Sequence, residues 1–173
     1  MYLISVYFDD NTNVKINQLI KKVAEKTGNA FMIDGNVPPH ITISAFETKK
    51  EKEVIEKLQK CVKRFESKDI QWVSVGTFMP HVLYITPVLN EYLHNMMVEI
   101  YDMFSEMEDI IVRKCYQPFA WLPHTTISKT LDKEQMQEAF KVMQEMFVPF
   151  MGTVVRIGLS KTNPYQELEM YEL

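Results

Sequence analysis

Apolar side chains recur at helical spacing in four stretches of the chain. In one of them, Val54, Leu58, Cys61 and Phe65 follow an i, i+4, i+7, i+11 pattern, which places them in a single stripe along a helix. Most of the residues between them are charged or polar, as expected for a helix that exposes its other face to water. The same spacing predicts helices over residues 13–27, 50–66, 90–108 and 132–147.

Short runs of β-branched and aromatic residues lie between these helices. Val155, Ile157 and Leu159 alternate with polar or small residues, which is typical of a strand with one buried face. Runs of this kind predict seven strands, over residues 2–8, 40–46, 70–78, 82–87, 124–129, 153–160 and 166–172.

The predicted elements occur in the same order twice. Each half runs strand, helix, strand, helix, strand, and the second half has one extra strand at its end. The natural junction is Met79-Pro80-His81, because proline stops a strand. We therefore predict an α+β fold: one bilobal domain, residues 1–173, with lobes of about 1–79 and 80–173 related by a pseudo-twofold axis. Each lobe is expected to have an antiparallel sheet with helices on its outer face, and the two lobes are expected to share a central cleft.

Composition narrows the class of protein. The chain has 173 residues, of which 46% are hydrophobic and 24% charged, as in ordinary soluble globular proteins. No apolar run approaches the ~20 residues of a membrane span, and no signal peptide is recognisable, so we expect a cytoplasmic protein without a membrane partner. The net charge of −4 argues against wrapping long nucleic acid, yet allows one RNA end or a small phosphorylated substrate. A monomer is the default expectation.

One short phrase is present in both halves. Residues 39–44 read PHITIS and residues 123–128 read PHTTIS, at equivalent places in the two halves. Alternate residues of a strand point to the same face, so each copy should present His40 with Thr42, or His124 with Thr126, side by side. The pseudo-twofold axis would then place the two pairs across one cleft.

Two histidines that face each other suit the cleavage of a phosphodiester without a metal. One imidazole can activate the attacking oxygen while the other protonates the leaving oxygen, since the ordinary pKa of histidine is near 6.5. Thr42 and Thr126 can donate hydrogen bonds to the phosphoryl oxygens, where charge accumulates. No Cys, Asp or Glu on the same strand faces would complete a metal site, so no metal and no cofactor are expected.

The paired phrases resemble the signature of the 2H phosphoesterase superfamily. The family pattern is His, any residue, Thr or Ser, then an apolar residue, present twice and roughly eighty residues apart. The resemblance covers the whole chain in length and element order. It implies a bilobal fold with an inner cleft and metal-independent hydrolysis of cyclic phosphates, as in 2′-5′ RNA ligase-like proteins and 2′,3′-cyclic phosphodiesterases. In several members a basic residue follows the second motif, and Lys129 takes that place here.

Other residues near the motifs are candidates for substrate binding. Strand alternation places two serines on the faces of the threonines, lysines could hold a phosphate, and aromatic rings before the second motif could stack on a base. The alternatives without a role in binding are that the lysines are ordinary surface residues and that the aromatic rings form a hydrophobic plug between the lobes. The candidates are Ser44, Ser128, Lys129, Lys161, Trp121 and Phe119.

Two main classes of function remain open at this point, besides a weaker third, a structural protein whose paired strands are only core. The first is an enzyme that opens the 2′,3′-cyclic phosphate of an RNA 3′ end or of a small cyclic nucleotide; its reversal, with a 5′ hydroxyl as nucleophile, would be 2′-5′ RNA ligation. The second is a non-catalytic module that binds an RNA end or a nucleotide phosphate on the same fold. Intact His-x-Thr pairs in both halves favour the enzyme.

Overall fold

The computed structural model describes residues 1–105, 107–162 and 164–173. The strands are β1 Tyr2–Phe8, β2 His40–Glu47, β3 Lys68–Phe78, β4 Val82–Pro87, β5 Ile111–Val112, β6 Thr125–Ser128, β7 Phe150–Lys161 and β8 Gln166–Glu172. The helices are α1 Asp10–Thr27, α2 Phe31–Asp34, α3 Glu51–Val62, α4 Glu91–Met103 and α5 Lys133–Met146, with one 3₁₀ turn at Lys114–Tyr116.

The predicted α+β class and its antiparallel sheet are confirmed, and the seven predicted strands are all present. The sequence pattern missed the short elements α2 and β5 and the 3₁₀ turn, which are too brief to show a period. The helix predicted over 90–108 ends at Met103, and its residue 106 lies outside the described residues.

Helix boundaries follow from local capping. The side chains of Asp9, Asn90 and Asp132 accept hydrogen bonds from backbone amides in the first turns of α1, α4 and α5. Asp132 and Gln135 complete a reciprocal capping box. Helix α1 ends at Gly28, whose φ of 70° is a left-handed conformation that glycine adopts at little cost.

The sheet pairing exchanges a strand between the two halves of the chain. The eight-stranded sheet has the order β5-β2-β1-β7-β3-β4-β6, with β8 alongside β7. Strand β7, the last common strand of the second half, pairs with β1, while β3 of the first half pairs with β4. A division into 1–79 and 80–173 therefore does not follow the hydrogen bonding. The strands β1 and β2 of the first half are joined by β7 of the second half, and β4 and β6 of the second half are joined by β3 of the first.

The helices are mixed in the same way. Helix α1 packs on α5 and on β6, whereas α3 packs on α4, and α4 packs on β2. Each helical layer therefore contains one helix from each half of the chain. Because the exchange affects strands and helices alike, the two halves form one continuous sheet and core.

The centre of the sheet is the antiparallel pairing of β3 with β7, in which Ile70 lies opposite Gly152. Helix α1 approaches the backbone closely here, since a Cβ on Gly152 would lie 2.3 Å from Oγ1 of Thr12. The same Thr12 oxygen accepts a hydrogen bond from the amide of Thr153 at 3.2 Å. Glycine at position 152 thus allows α1 to seat on the centre of the sheet.

None of the described helices is long and apolar enough to cross a membrane.

Candidate functional site

The two motif strands are close in space although they are not neighbours in the sheet. Strand β2 carries His40 and Thr42, β6 carries Thr126 and follows directly after His124, and the two strands contact each other. The indole Nε1 of Trp121 donates to the backbone carbonyl of Thr42 at 2.9 Å, which ties the segment before the second motif to the strand of the first.

Both motif strands contain an irregularity at the same position. In β2 the register passes from Thr42 opposite Ser5 directly to Ser44 opposite Ile4, so one residue is extra. In β6 the same shift separates Thr126, opposite Tyr84, from Ser128, opposite Leu83. A β-bulge of this kind re-aims the side chains that follow it, and bulges are over-represented next to active sites.

The bulges correct one prediction from strand alternation. Ser44 and Ser128 were expected to share the face of the threonines, but each is 2% exposed and neither lies on the cleft wall. The physical reason is the extra residue, which reverses the alternation after Thr42 and Thr126. By the same reversal, Ala45 and Lys129, the fifth residues after their histidines, both line the cleft.

The cleft has a volume of about 620 Å³ and is lined by side chains from both halves. Although the protein carries a net charge of −4, no Asp or Glu of the described residues is on this wall, whereas Arg113, His124 and Lys129 are. The region is therefore suited to an anionic ligand. The remaining lining residues are Met1, Leu3, Thr42, Ala45, Phe78, Cys115, Tyr116, Ala120, Trp121, Leu122 and Thr162.

The two histidines are held by the same backbone contact. Nδ1 of His40 lies 2.9 Å from the carbonyl oxygen of Pro38, and Nδ1 of His124 lies 2.9 Å from that of Leu122. A carbonyl oxygen only accepts, so Nδ1 carries the proton in both rings. Nε2 of each ring is then available to accept or donate a proton.

Burial lowers the pKa of both histidines. For His40 the burial of the ring is the largest cause, and the positive charges of His124 and Lys129 lower the pKa further, against the contact with Pro38, which raises it. For His124 burial lowers the pKa and the contact with Leu122 opposes it. The effect of His124 and Lys129 on His40 shows that the two motifs share one electrostatic environment.

These lowered pKa values predict that the histidines make the fold less stable in acid. As the pH falls through about 6.5, histidines of the unfolded chain take up protons that His40 and His124 in the folded chain resist. The free energy of unfolding of a His40→Gln/His124→Gln variant should therefore improve relative to wild type as the pH is lowered from 8 to 5. Urea unfolding at several pH values measures this; a difference that is constant with pH would contradict it.

The two threonines are not equivalent in their surroundings. Thr42 is 7% exposed, its Oγ1 accepts from the Ser5 hydroxyl at 3.4 Å, and its side chain also interacts with Tyr116. Thr126 is half-buried and lies opposite Tyr84. The first half of the site is thus more enclosed than the second.

The remaining sequence candidates differ in their positions. Trp121 lines the cleft but is 7% exposed, and its bond to Thr42 gives it a clear structural role. Phe119 is 97% exposed, has a φ of 65° and is not on the cleft wall. Lys129 is on the wall, with Nζ 4.6 Å from the centre of the Phe31 ring. Lys161 is off the wall and forms an ion pair with Glu51.

Sequence reasoning missed three residues of the site, two beside the second motif and one on the cleft wall. The ring of Phe78, 41% exposed, meets His124 edge-on at 4.8 Å, and Tyr84 lies 5.3 Å from the same histidine. Arg113 lines the cleft. No periodic pattern marks these residues, because their positions depend on long-range strand pairing: β3 with β4, β4 with β6, and β5 with β2.

The family of the chain follows from its match to a protein-family model. The model of the 2′-5′ RNA ligase superfamily matches residues 14–165, which contain both motifs. The protein belongs to the 2′-5′ RNA ligase superfamily. The resemblance of the two phrases to the 2H phosphoesterases is thereby confirmed, and membership of this superfamily supports a phosphodiesterase-type function.

Solved structures with the superfamily fold resemble the whole chain. E. coli LigT complexed with 3′-AMP has a TM-score of 0.64 at 12% identity, covering 99% of this chain and 97% of that one. TT0787 of Thermus thermophilus has a TM-score of 0.66 at 15% identity, with the same coverage. The MHV ns2 PDE domain has a TM-score of 0.61 at 14% identity, covering 99% of both chains. No curated protein matches the sequence.

A search for metal ligands in the ranges 1–105, 107–162 and 164–173 finds no group of three or more His, Cys, Asp and Glu side chains placed to hold an ion.

Proposed function

We propose that the protein is a metal-independent phosphodiesterase that opens 2′,3′-cyclic phosphates on RNA ends or nucleotides. The observation that carries the proposal is the matched pair of histidines. His40 and His124 have the same Nδ1 contact, at 2.9 Å in both, so Nε2 is the free nitrogen of each ring. His124 lines the cleft, whose described wall has no carboxylates, and His40, which is off that wall, lies close enough for the charge of His124 to lower its pKa. Superfamily membership supports chemistry on phosphodiester bonds.

In the proposed reaction a water molecule attacks the phosphorus of the cyclic ester. Nε2 of His40 takes the proton of the water as its oxygen bonds to phosphorus, and the bond from phosphorus to one ribose oxygen breaks. Nε2 of protonated His124 gives its proton to that oxygen, so charge and atoms balance. His40 is assigned as the base because the charges of His124 and Lys129 add to burial in keeping its pKa low.

The threonines are proposed to hold the phosphoryl oxygens. Each hydroxyl can donate one hydrogen bond to a non-bridging oxygen, where negative charge increases as the bond to water forms. Lys129 on the cleft wall adds a positive charge near the same group. If the 5′ hydroxyl of a second RNA replaces water, the same ring opening forms a 2′-5′ bond: the bond from phosphorus to the 3′ oxygen breaks, and that oxygen takes the proton from the acid.

Two structural relatives are consistent with this substrate class. E. coli LigT was crystallised with 3′-AMP, a nucleoside monophosphate, and the MHV ns2 domain is named a PDE domain. Both are below 25% identity with this chain, so they support the fold and only suggest the ligand chemistry.

The test is hydrolysis of nucleoside 2′,3′-cyclic phosphates by the purified protein in EDTA. We expect the cyclic substrate to be converted to a single monophosphate isomer, at the same rate with and without the chelator. Chromatography of the products measures this. Loss of activity on chelation would replace this mechanism with a metal-dependent one. Tight binding of the product without any turnover of the cyclic substrate would favour the binding-module alternative.

A further inference from the structure

We propose that Arg113 binds a second phosphate, the one on the 5′ oxygen of the nucleoside whose cyclic phosphate reacts. This inference rests on the proposed function and goes beyond it, because it specifies which substrates the cleft prefers.

The position of Arg113 is fixed relative to the first motif. Its backbone amide donates to the carbonyl of Ala45 at 2.9 Å, immediately after the pairing of β5 with the end of β2. Ala45 lies opposite Leu3, and Thr42 lies opposite Ser5. Leu3 and Ser5 are two residues apart on β1, so Ala45 and Thr42 on β2 are separated by roughly 7 Å along the strand. This is comparable with the spacing of neighbouring phosphates in an RNA strand.

The same β-bulge makes both positions accessible from one cleft. Thr42 and Ala45 are three residues apart and would point to opposite faces of a regular strand. The extra residue in β2 reverses the alternation, and both line the cleft. Tyr116, also on the cleft wall, interacts with the Thr42 side chain and with the charge of Arg113.

The guanidinium of Arg113 is available to a ligand. The residue is exposed, and within the described part of the chain no carboxylate forms an ion pair with it. By contrast, Arg64, on a different surface, is paired with Glu99 at 2.8 Å. The planar guanidinium forms two parallel hydrogen bonds with a phosphate, which a lysine cannot do.

A phosphate on the 5′ oxygen can come from two sources. It is the terminal phosphate of a nucleoside 5′-phosphate 2′,3′-cyclic phosphate, or it is the preceding phosphodiester of an RNA with a cyclic end. Arg113 would recognise the same chemistry in both, and a nucleoside 2′,3′-cyclic phosphate without a 5′ phosphate lacks it.

The experiment compares kcat/KM for three substrates: the cyclic mononucleotide without a 5′ phosphate, the same compound with one, and a dinucleotide with a cyclic end. Wild type is expected to prefer the last two by about tenfold or more, the effect of a charge-assisted contact. Arg113→Gln should remove this preference. Lys114→Gln is the matched control, since Lys114 is exposed and adjacent but off the cleft wall, and its variant should keep the preference.

The outcomes separate cleanly. If wild type hydrolyses the two substrates that carry a 5′ phosphate at equal rates, Arg113 recognises the 5′ phosphate alone. If it hydrolyses the dinucleotide faster, the preferred substrate is an RNA end. No preference in wild type, or a preference that survives in Arg113→Gln, overturns the proposal.

A binding measurement separates failure of this inference from failure of the proposed function. Calorimetry with adenosine 3′,5′-bisphosphate and adenosine 3′-phosphate requires no turnover. Wild type should bind the bisphosphate about tenfold more tightly, and Arg113→Gln should bind the two with similar affinity. If no cyclic substrate is hydrolysed but this pattern is found, the proposed function fails and the role of Arg113 stands. Equal affinities in wild type overturn the role of Arg113.

Discussion

Replacing His40 or His124 with alanine is expected to lower kcat/KM for cyclic phosphate hydrolysis by ~10²–10⁴, the usual contribution of one general acid or base. The reason is that each ring has Nε2 as its free nitrogen, and no carboxylate of the described residues lines the cleft to take over the proton transfer. Because the two histidines act in one proton-transfer step, the double variant should lose less than the product of the single losses.

Two controls make this expectation specific. His94→Ala changes a histidine on α4 whose ring lies 6.1 Å from that of Phe119, away from the cleft, and it should retain wild-type activity. Circular dichroism should show that all variants are folded. Activity within tenfold of wild type in either motif variant would contradict the two-histidine mechanism.

Replacing Trp72 with alanine is expected to destabilise the fold by about 3–5 kcal/mol, the range for removal of a large buried ring. Trp72 is completely buried, meets Phe8 edge-on at 4.9 Å and stacks on Phe150 at 5.0 Å. Its Nε1 also donates to Oγ1 of Thr125, which lies between His124 and Thr126 of the second motif, at 3.3 Å. The midpoint of thermal unfolding should fall by roughly 10 °C.

Two further variants test the cause of that loss. Trp72→Phe keeps an aromatic ring in the core but lacks the bond to Thr125, and it should cost less than the alanine variant. Phe119→Ala removes a ring that is 97% exposed and should change the stability by no more than about 0.5 kcal/mol. If Trp72→Ala unfolds at the same temperature as wild type, the central role assigned to Trp72 is wrong.

The repeated phrase made the approach of the two motif strands predictable from the sequence. Strand periodicity and duplication together placed His40, Thr42, His124 and Thr126 at equivalent points of two halves, and the structure brings their strands into contact. The regular elements were predictable for the same reason, because each has an amphipathic period.

What surrounds the two motifs depends on features without a sequence period. A one-residue bulge after each threonine decides that Lys129 lines the cleft and that Ser44 does not. The position of Arg113 depends on the pairing of the two-residue strand β5 with the end of β2. Such details follow from long-range packing, which a pattern of apolar residues along the chain does not encode.

The exchange of β3 and β7 between the halves has a consequence for synthesis on the ribosome. Strand β1 emerges before β7, yet its Tyr2 pairs with Lys161 of that strand. The sheet around the first motif therefore cannot close until β7 has left the exit tunnel, and its edge stays open until then. Such an edge is a template for pairing with another chain, so a nascent chain that stalls before β7 is exposed to intermolecular strand exchange.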